Sequence, residues 1–155
     1  MKWHTIRIAL ALLICSQPSC NIPTGKKHSS EADSTSNELC IKYIVSLDDS
    51  LSALRNHDCE SVSISESIYK YTAGIGNASF EDCPEDFVRA YKRHQQAWLE
   101  MLRVTDKYTD LRGEMHQLFN SIQAGKDSTE FKQRLQLIWS TWDEIKNAAH
   151  PFVKL

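Results

Sequence analysis

Cys83-Pro-Glu-Asp-Phe-Val-Arg-Ala-Tyr-Lys-Arg-His-Gln-Gln-Ala-Trp-Leu-Glu-Met-Leu-Arg-Val-Thr105 decides the fold. Phe87, Tyr91, His94, Trp98, Met101 and Thr105 recur at steps of three and four, the repeat of one helical face. The start is equally well marked. Asp82 or Cys83 can cap, Pro84 suits the first helical position, and Glu85 and Asp86 complement the positive end of the helix dipole. The spacing carries on through Tyr108, Met115, Phe119 and Ile122. Unbroken to Ser121, such a helix would measure about 57 Å at a rise of about 1.5 Å per residue. That is long for a domain of this size, so a bend or break is expected between Thr109 and Gly113.

Working outward, Gly125 marks a turn, and Asp127 with Glu130 has the spacing of a capping box. Phe131, Leu135, Ile138, Trp142, Ile145 and Ala149 then share one face of a last helix, which Pro151 ends. Towards the N-terminus, Cys40, Ile44, Leu47, Leu51 and Leu54 form a stripe. They predict a first helix from Glu38 to about Asn56-His57-Asp58. Residues 60–75 are ambiguous. Ile64, Ile68, Tyr71 and Ile75 keep a helical spacing, whereas Ser61 to Ser65 alternates like a strand. The helix is preferred because no partner strand exists elsewhere, with Gly74, Gly76 and Asn77 breaking it and 76–82 forming a loop. With only five glycines and four prolines, an all-β design full of tight turns is disfavoured. The expected fold is all-α, a small bundle of about four helices over residues 38–155, the third of them divided.

The first twenty residues have a different character. Lys2 and Arg7 give a positive start, Ile8 to Cys15 form an apolar run, and Ser16, Pro18 and Ser19 precede Cys20. The run is far shorter than the roughly 20 apolar residues that span a bilayer, so it reads as an export signal. The segment resembles the signal of bacterial lipoproteins, whose lipobox runs Leu, small residue, Gly or Ala, then Cys. Here Gln17-Pro18-Ser19-Cys20 keeps the small residue before the cysteine and departs at Gln17. The resemblance covers these residues alone. It implies cleavage after residue 19, lipidation of Cys20, and a cell-envelope protein held to a membrane on the exported side. Each buried methylene contributes about 0.8 kcal/mol, and two or more chains hold stably. The alternative is cleavage after Ser16, which leaves a soluble secreted or periplasmic protein.

Residues 20–37 then form the lipidated cysteine and a flexible tether, rich in Ser and Thr with almost no apolar content. A 17-residue coil (21–37) has a reach of roughly 20–25 Å. The chain carries 18 Lys and Arg against 20 Asp and Glu. Two of the basic residues lie in the signal, so the mature chain is left mildly acidic. Nucleic acid, which favours a basic face, is not an expected partner.

Of the five cysteines, Cys15 leaves with the signal and Cys20 takes lipid, so Cys40, Cys59 and Cys83 remain. An oxidising compartment favours one disulfide among them. Cys40 and Cys59 sit at opposite ends of a helix about 25 Å long, while a disulfide needs Cα atoms within about 7 Å. Cys83 therefore pairs with Cys40 or Cys59, and an up-down bundle slightly favours Cys40.

Chemistry is sparse. His94, on the apolar stripe, is the one candidate metal or haem ligand, with Met101, Met115 or His116 nearby; a core histidine bonded to a neighbour is the preferred reading. The spacings for haem attachment, zinc and di-iron sites are missing. Glu114 and His116, two apart, should diverge on a helix. Neither a nucleophile elbow nor a phosphate-binding glycine loop occurs. No metal or other cofactor is therefore expected, and no catalysis. Trp139 lies one position off the seam of the last helix. The preferred reading is a wide apolar face that covers it; if exposed, it would instead mark a surface for an envelope protein partner. The expected role is binding or scaffolding in the envelope, with two rivals: a ligand or metal carrier, and a secreted enzyme whose site is too dispersed to show in one sequence.

Overall fold

The computed structural model describes residues 29–155, with side chains from Asp33 onward. The export signal, Cys20 and the tether as far as residue 28 lie outside the described residues. The chain folds into α1 (Ser29–Asp58), α2 (Ile64–Gly76), α3 (Glu85–Thr105), α4 (Met115–Ala124) and α5 (Ser128–Ala149), with no strand among the described residues. The third helix is divided as its length demanded. Its two parts are α3 and α4, and the break spans 106–114. Within it, Gly113 adopts a φ of 139°, a conformation that favours glycine. The Gly113 amide donates to the Cys59 carbonyl at 2.9 Å, which pins the break to the end of α1.

Four local expectations need correction. First, α1 starts nine residues before Glu38 and takes in 29–37, read above as tether. That stretch holds no Gly or Pro, and once a helix has nucleated on packed residues each further residue adds one hydrogen bond at low cost. Second, neither Asp82 nor Cys83 caps α3. Asp82 sits at a φ of 65° and Pro84 takes the cap position without a side-chain bond. Third, Asp127 makes no cap bond. Its carboxylate instead accepts from Lys107 Nζ at 2.9 Å and from the Tyr108 hydroxyl at 2.8 Å, which ties the end of α3 to the start of α5. Fourth, Leu54 points outward and is 51% exposed. The inward face of α1 runs instead through Ile41, Ile44 and Asp48, with Arg55 half-buried two turns further on.

The core gathers Ile41 and Ile44 of α1, Ile64 and Ile68 of α2, Phe87, Tyr91, Met101 and Val104 of α3, and Phe131, Ile138 and Ile145 of α5, all buried. Each such side chain contributes about 1.5–3 kcal/mol when removed from water. The helices follow one another in space as α1, α2, α3, α5 and α4, with α3 packing most extensively on α5. Helices α1 and α2 approach closely at Gly74, where a Cβ would lie 2.8 Å from a Leu51 methyl carbon. Cys40 and Cys83 are joined, with Cα atoms 5.3 Å apart, fastening α1 to the segment that leads into α3. Cys59 is a free, buried thiol.

Candidate functional site

The spatial order of the helices leaves a groove. Its walls come from α1 (Asp48, Asp49, Ser52, Arg55 and Asn56) and from α4 and α5 (Met115, Phe119, Ile138, Trp139 and Trp142), with Tyr71, His94 and Trp98 between them. Its volume is about 480 Å³. Pockets of this size, mostly apolar with a few convergent polar groups, are where small ligands bind.

Arg55 is the groove's cation. Its guanidinium carbon lies 4.0 Å from the centre of the Trp98 ring and 4.6 Å from that of Tyr71. Nε and Nη2 donate to Asn56 Oδ1 at 3.4 and 3.3 Å, near the long limit of a hydrogen bond. Burial lowers the pKa of Arg55, opposed by Tyr71 and Asp48 beside it, and a guanidinium stays charged through such a shift. Asp48, 4% exposed, accepts from the Tyr71 hydroxyl at 2.5 Å. Burial raises its pKa, with the Tyr71 hydrogen bond and the Arg55 charge pulling the other way.

His94 is a core histidine. The Trp98 indole N–H donates to its Nε2 at 3.1 Å, and its Nδ1 lies 2.9 Å from Thr141 Oγ1. An indole N–H only donates, so Nε2 carries no proton and Nδ1 carries the one of the neutral ring. Thr141 passes its own hydrogen to the Leu137 or Ile138 carbonyl, at 2.9 and 3.0 Å. Burial, with help from the Arg55 charge, pushes the His94 pKa down to about 4. Both ring nitrogens are thus committed, and a metal ion would have to displace Trp98 or Thr141. Met115 and His116 reach the same groove while Met101 stays in the core. Among the described residues no three His, Cys, Asp or Glu side chains stand together as a metal site.

Trp139 lines the groove and is 61% exposed. The two residues singled out from sequence, His94 and Trp139, therefore share one site, His94 buried in its wall and Trp139 open to solvent. Glu114 and His116 meet, against expectation, with His116 Nδ1 2.7 Å from Glu114 Oε1. Glu114 is the N-cap of α4, outside the helix, so the divergence of residues two apart on a helix does not apply. Burial pushes the Cys59 thiol up in pKa, the reverse of an activated nucleophile. Sequence reasoning missed Asp48 and Arg55. The available signal was their spacing, since each follows Ile41 by a multiple of seven on the inward face.

No protein-family profile, curated protein or solved structure matches this chain.

Proposed function

We propose that this chain is an exported protein, lipid-anchored at Cys20 in the cell envelope, whose helical domain binds its target in the groove between α1 and α5 and catalyses no reaction. The observation that carries the binding reading is the gathering of Trp98, Trp139 and Trp142 with Arg55 around about 480 Å³ of solvent-open space. Exposed tryptophan and half-buried arginine are the side chains most enriched where binding energy concentrates. Against catalysis stands the use of the groove's polar groups by one another: Asp48 by Tyr71, and both His94 nitrogens by Trp98 and Thr141. The anchoring reading rests on residues 1–20.

Two experiments test the two halves. Envelope cross-linking compares the native chain with Trp139→Ala, whose exposed position spares the fold. Loss of cross-linked species supports the groove, and an unchanged pattern shows that no protein occupies it. The intact mass of membrane-extracted protein should show a chain starting at Cys20 with acyl mass added. A water-soluble chain starting at Gln17 overturns the anchor.

A further inference from the structure

The groove's ligand can be narrowed by its charge and shape, on the footing that the groove is the binding site. We infer that it takes a small organic monocarboxylate with a flat apolar body, the carboxylate on Arg55 and the body against the tryptophans.

The anion is assigned by Arg55. Among the described residues no carboxylate lies within 4.0 Å of its guanidinium, whereas Arg89, Arg93, Arg103 and Arg134 have such a partner and Arg112 donates to the Thr109 and Leu111 carbonyls instead. Trp98 and Tyr71 stand on adjacent sides of the Arg55 guanidinium, their ring centres 5.5 Å apart. The Arg55 Nε and Nη2 reach Asn56 Oδ1 only near the long limit of a hydrogen bond, at 3.4 and 3.3 Å, so a carboxylate can displace that weak contact at the N–H edge. A guanidinium edge matches a carboxylate bidentately, and such charge-assisted pairs are roughly twice as strong as neutral hydrogen bonds. The two neighbouring rings also restrict the fork's orientation, which lowers the entropy cost of using it.

The single charge follows from the rest of the lining. Among the described residues Arg55 is the only Lys or Arg lining the groove, and Asp48 and Asp49 stand on the same wall. A doubly charged phosphate monoester would meet one cation and two carboxylates. A monocarboxylate is the better match. The flat apolar body follows from Phe119, Trp139 and Trp142 on the opposite wall, since aromatic faces and edges pair best with other flat groups.

The test uses the full chain, with phenylacetate, phenylacetamide, phenethylamine and phenyl phosphate as probes in calorimetric titrations. Side-chain nitrogen NMR of Arg55 and of the indoles runs alongside. Phenylacetate should bind, move the Arg55 Nε and Trp139 signals, and exceed the amide and amine by at least about tenfold. Arg55→Gln should abolish that preference. Asp49→Asn, at an exposed position that leaves packing alone, should tighten phenylacetate about twofold to fivefold, the range of an exposed charge pair.

Equal binding of the amide overturns the carboxylate assignment and leaves the binding groove standing. Phenyl phosphate binding above phenylacetate overturns it in favour of a phosphate ligand. A preference that survives Arg55→Gln, or no binding of any probe, overturns it too. The groove itself is then judged separately: it stands if Trp139→Ala changes the cross-linking pattern, and falls if that pattern is unchanged and no probe binds.

Discussion

Arg55 lies over the indole of Trp98, its guanidinium carbon 4.0 Å from the ring centre. That one contact joins α1 to α3 across the floor of the groove. It places a cation on the same face of α1 as Ile41 and Ile44, where an apolar side chain would ordinarily stand. The contact has a structural role as well as a place in the binding site, and the two roles separate by experiment.

Arg55→Ala should lower stability by about 1–2 kcal/mol. The loss combines a partly desolvated cation–π contact with the apolar stem that covers Trp98 and Tyr71. Arg55→Lys should recover only part of this, because an ammonium does not stack as a planar fork does. Urea denaturation at neutral pH measures both. Equal midpoints for the native chain and Arg55→Ala would show that the stacking contributes nothing.

His94 predicts a loss of stability in acid. Its folded pKa is about 4 against an ordinary 6.5. Above 6.5 the ring is neutral in both states and its contribution is complete. As pH falls from 6.5 to about 4 the unfolded chain takes up a proton that the folded one refuses, so stability drains away. The ceiling is of the order of 3 kcal/mol. Asp48, with its raised pKa, acts in the opposite sense, losing stability as pH rises past its unfolded value. The comparison with His94→Gln, which can still bond Trp98 and Thr141, cancels that term. The variant should lose distinctly less stability than the native chain between pH 7 and pH 4.5 in denaturant titrations.

Why some of this was legible in the sequence and some was not comes down to which residues occupy the helical stripes. On α3 and α5 the inward positions are Phe87, Tyr91, Trp98, Met101, Phe131 and Ile138, so apolar spacing placed both helices, and the excessive length of an unbroken helix placed the division between α3 and α4. On α1 the inward face carries Asp48 and Arg55. A reading that follows only apolar residues therefore drifts one position, to Leu54, which is exposed. The groove was hidden for the same reason. Its polar half lies on that face, and its aromatic half was read as core. Trp139 was legible only as the lesser alternative: a wide apolar face was preferred, yet one residue of displacement from the seam turns the side chain outward. The capping expectation at Asp127 failed because Lys107 and Tyr108 outcompeted the local bond, and the one at Asp82 because Pro84 takes the cap position.

The Cys40–Cys83 bridge closes a separation of 43 residues. The chain-entropy model assigns such a loop about 4 kcal/mol. Reduction, or the Cys40→Ser and Cys83→Ser pair, should lower the denaturation midpoint accordingly, a large share of the stability of a small domain. Cys59, buried at the end of α1, should resist alkylation until the chain unfolds. Peptide mapping that found Cys59 bridged to Cys83 would contradict the pairing outright.

Two buried tyrosines should respond in opposite ways to loss of a hydroxyl. Tyr71 donates to Asp48 at 2.5 Å. Tyr91, wholly buried, has no hydrogen-bond partner for its hydroxyl oxygen among the described residues. Burying an unsatisfied hydroxyl costs about 1–3 kcal/mol, while a hydrogen bond to a charged group contributes about 1.5–3. Tyr91→Phe deletes the unsatisfied group and keeps the ring against Phe87 and Phe80. It should match or exceed the native chain, by about 1 kcal/mol. Tyr71→Phe strips Asp48 of its donor and leaves a buried carboxylate with only the more distant Arg55 charge, so it should be destabilised by about 2 kcal/mol at neutral pH. The gap between the two variants should narrow at low pH, where Asp48 is protonated in both folded and unfolded chains. Paired urea titrations at pH 7 and pH 3 read this directly, and a Tyr91→Phe chain as weak as Tyr71→Phe would show that Tyr91 has a partner after all.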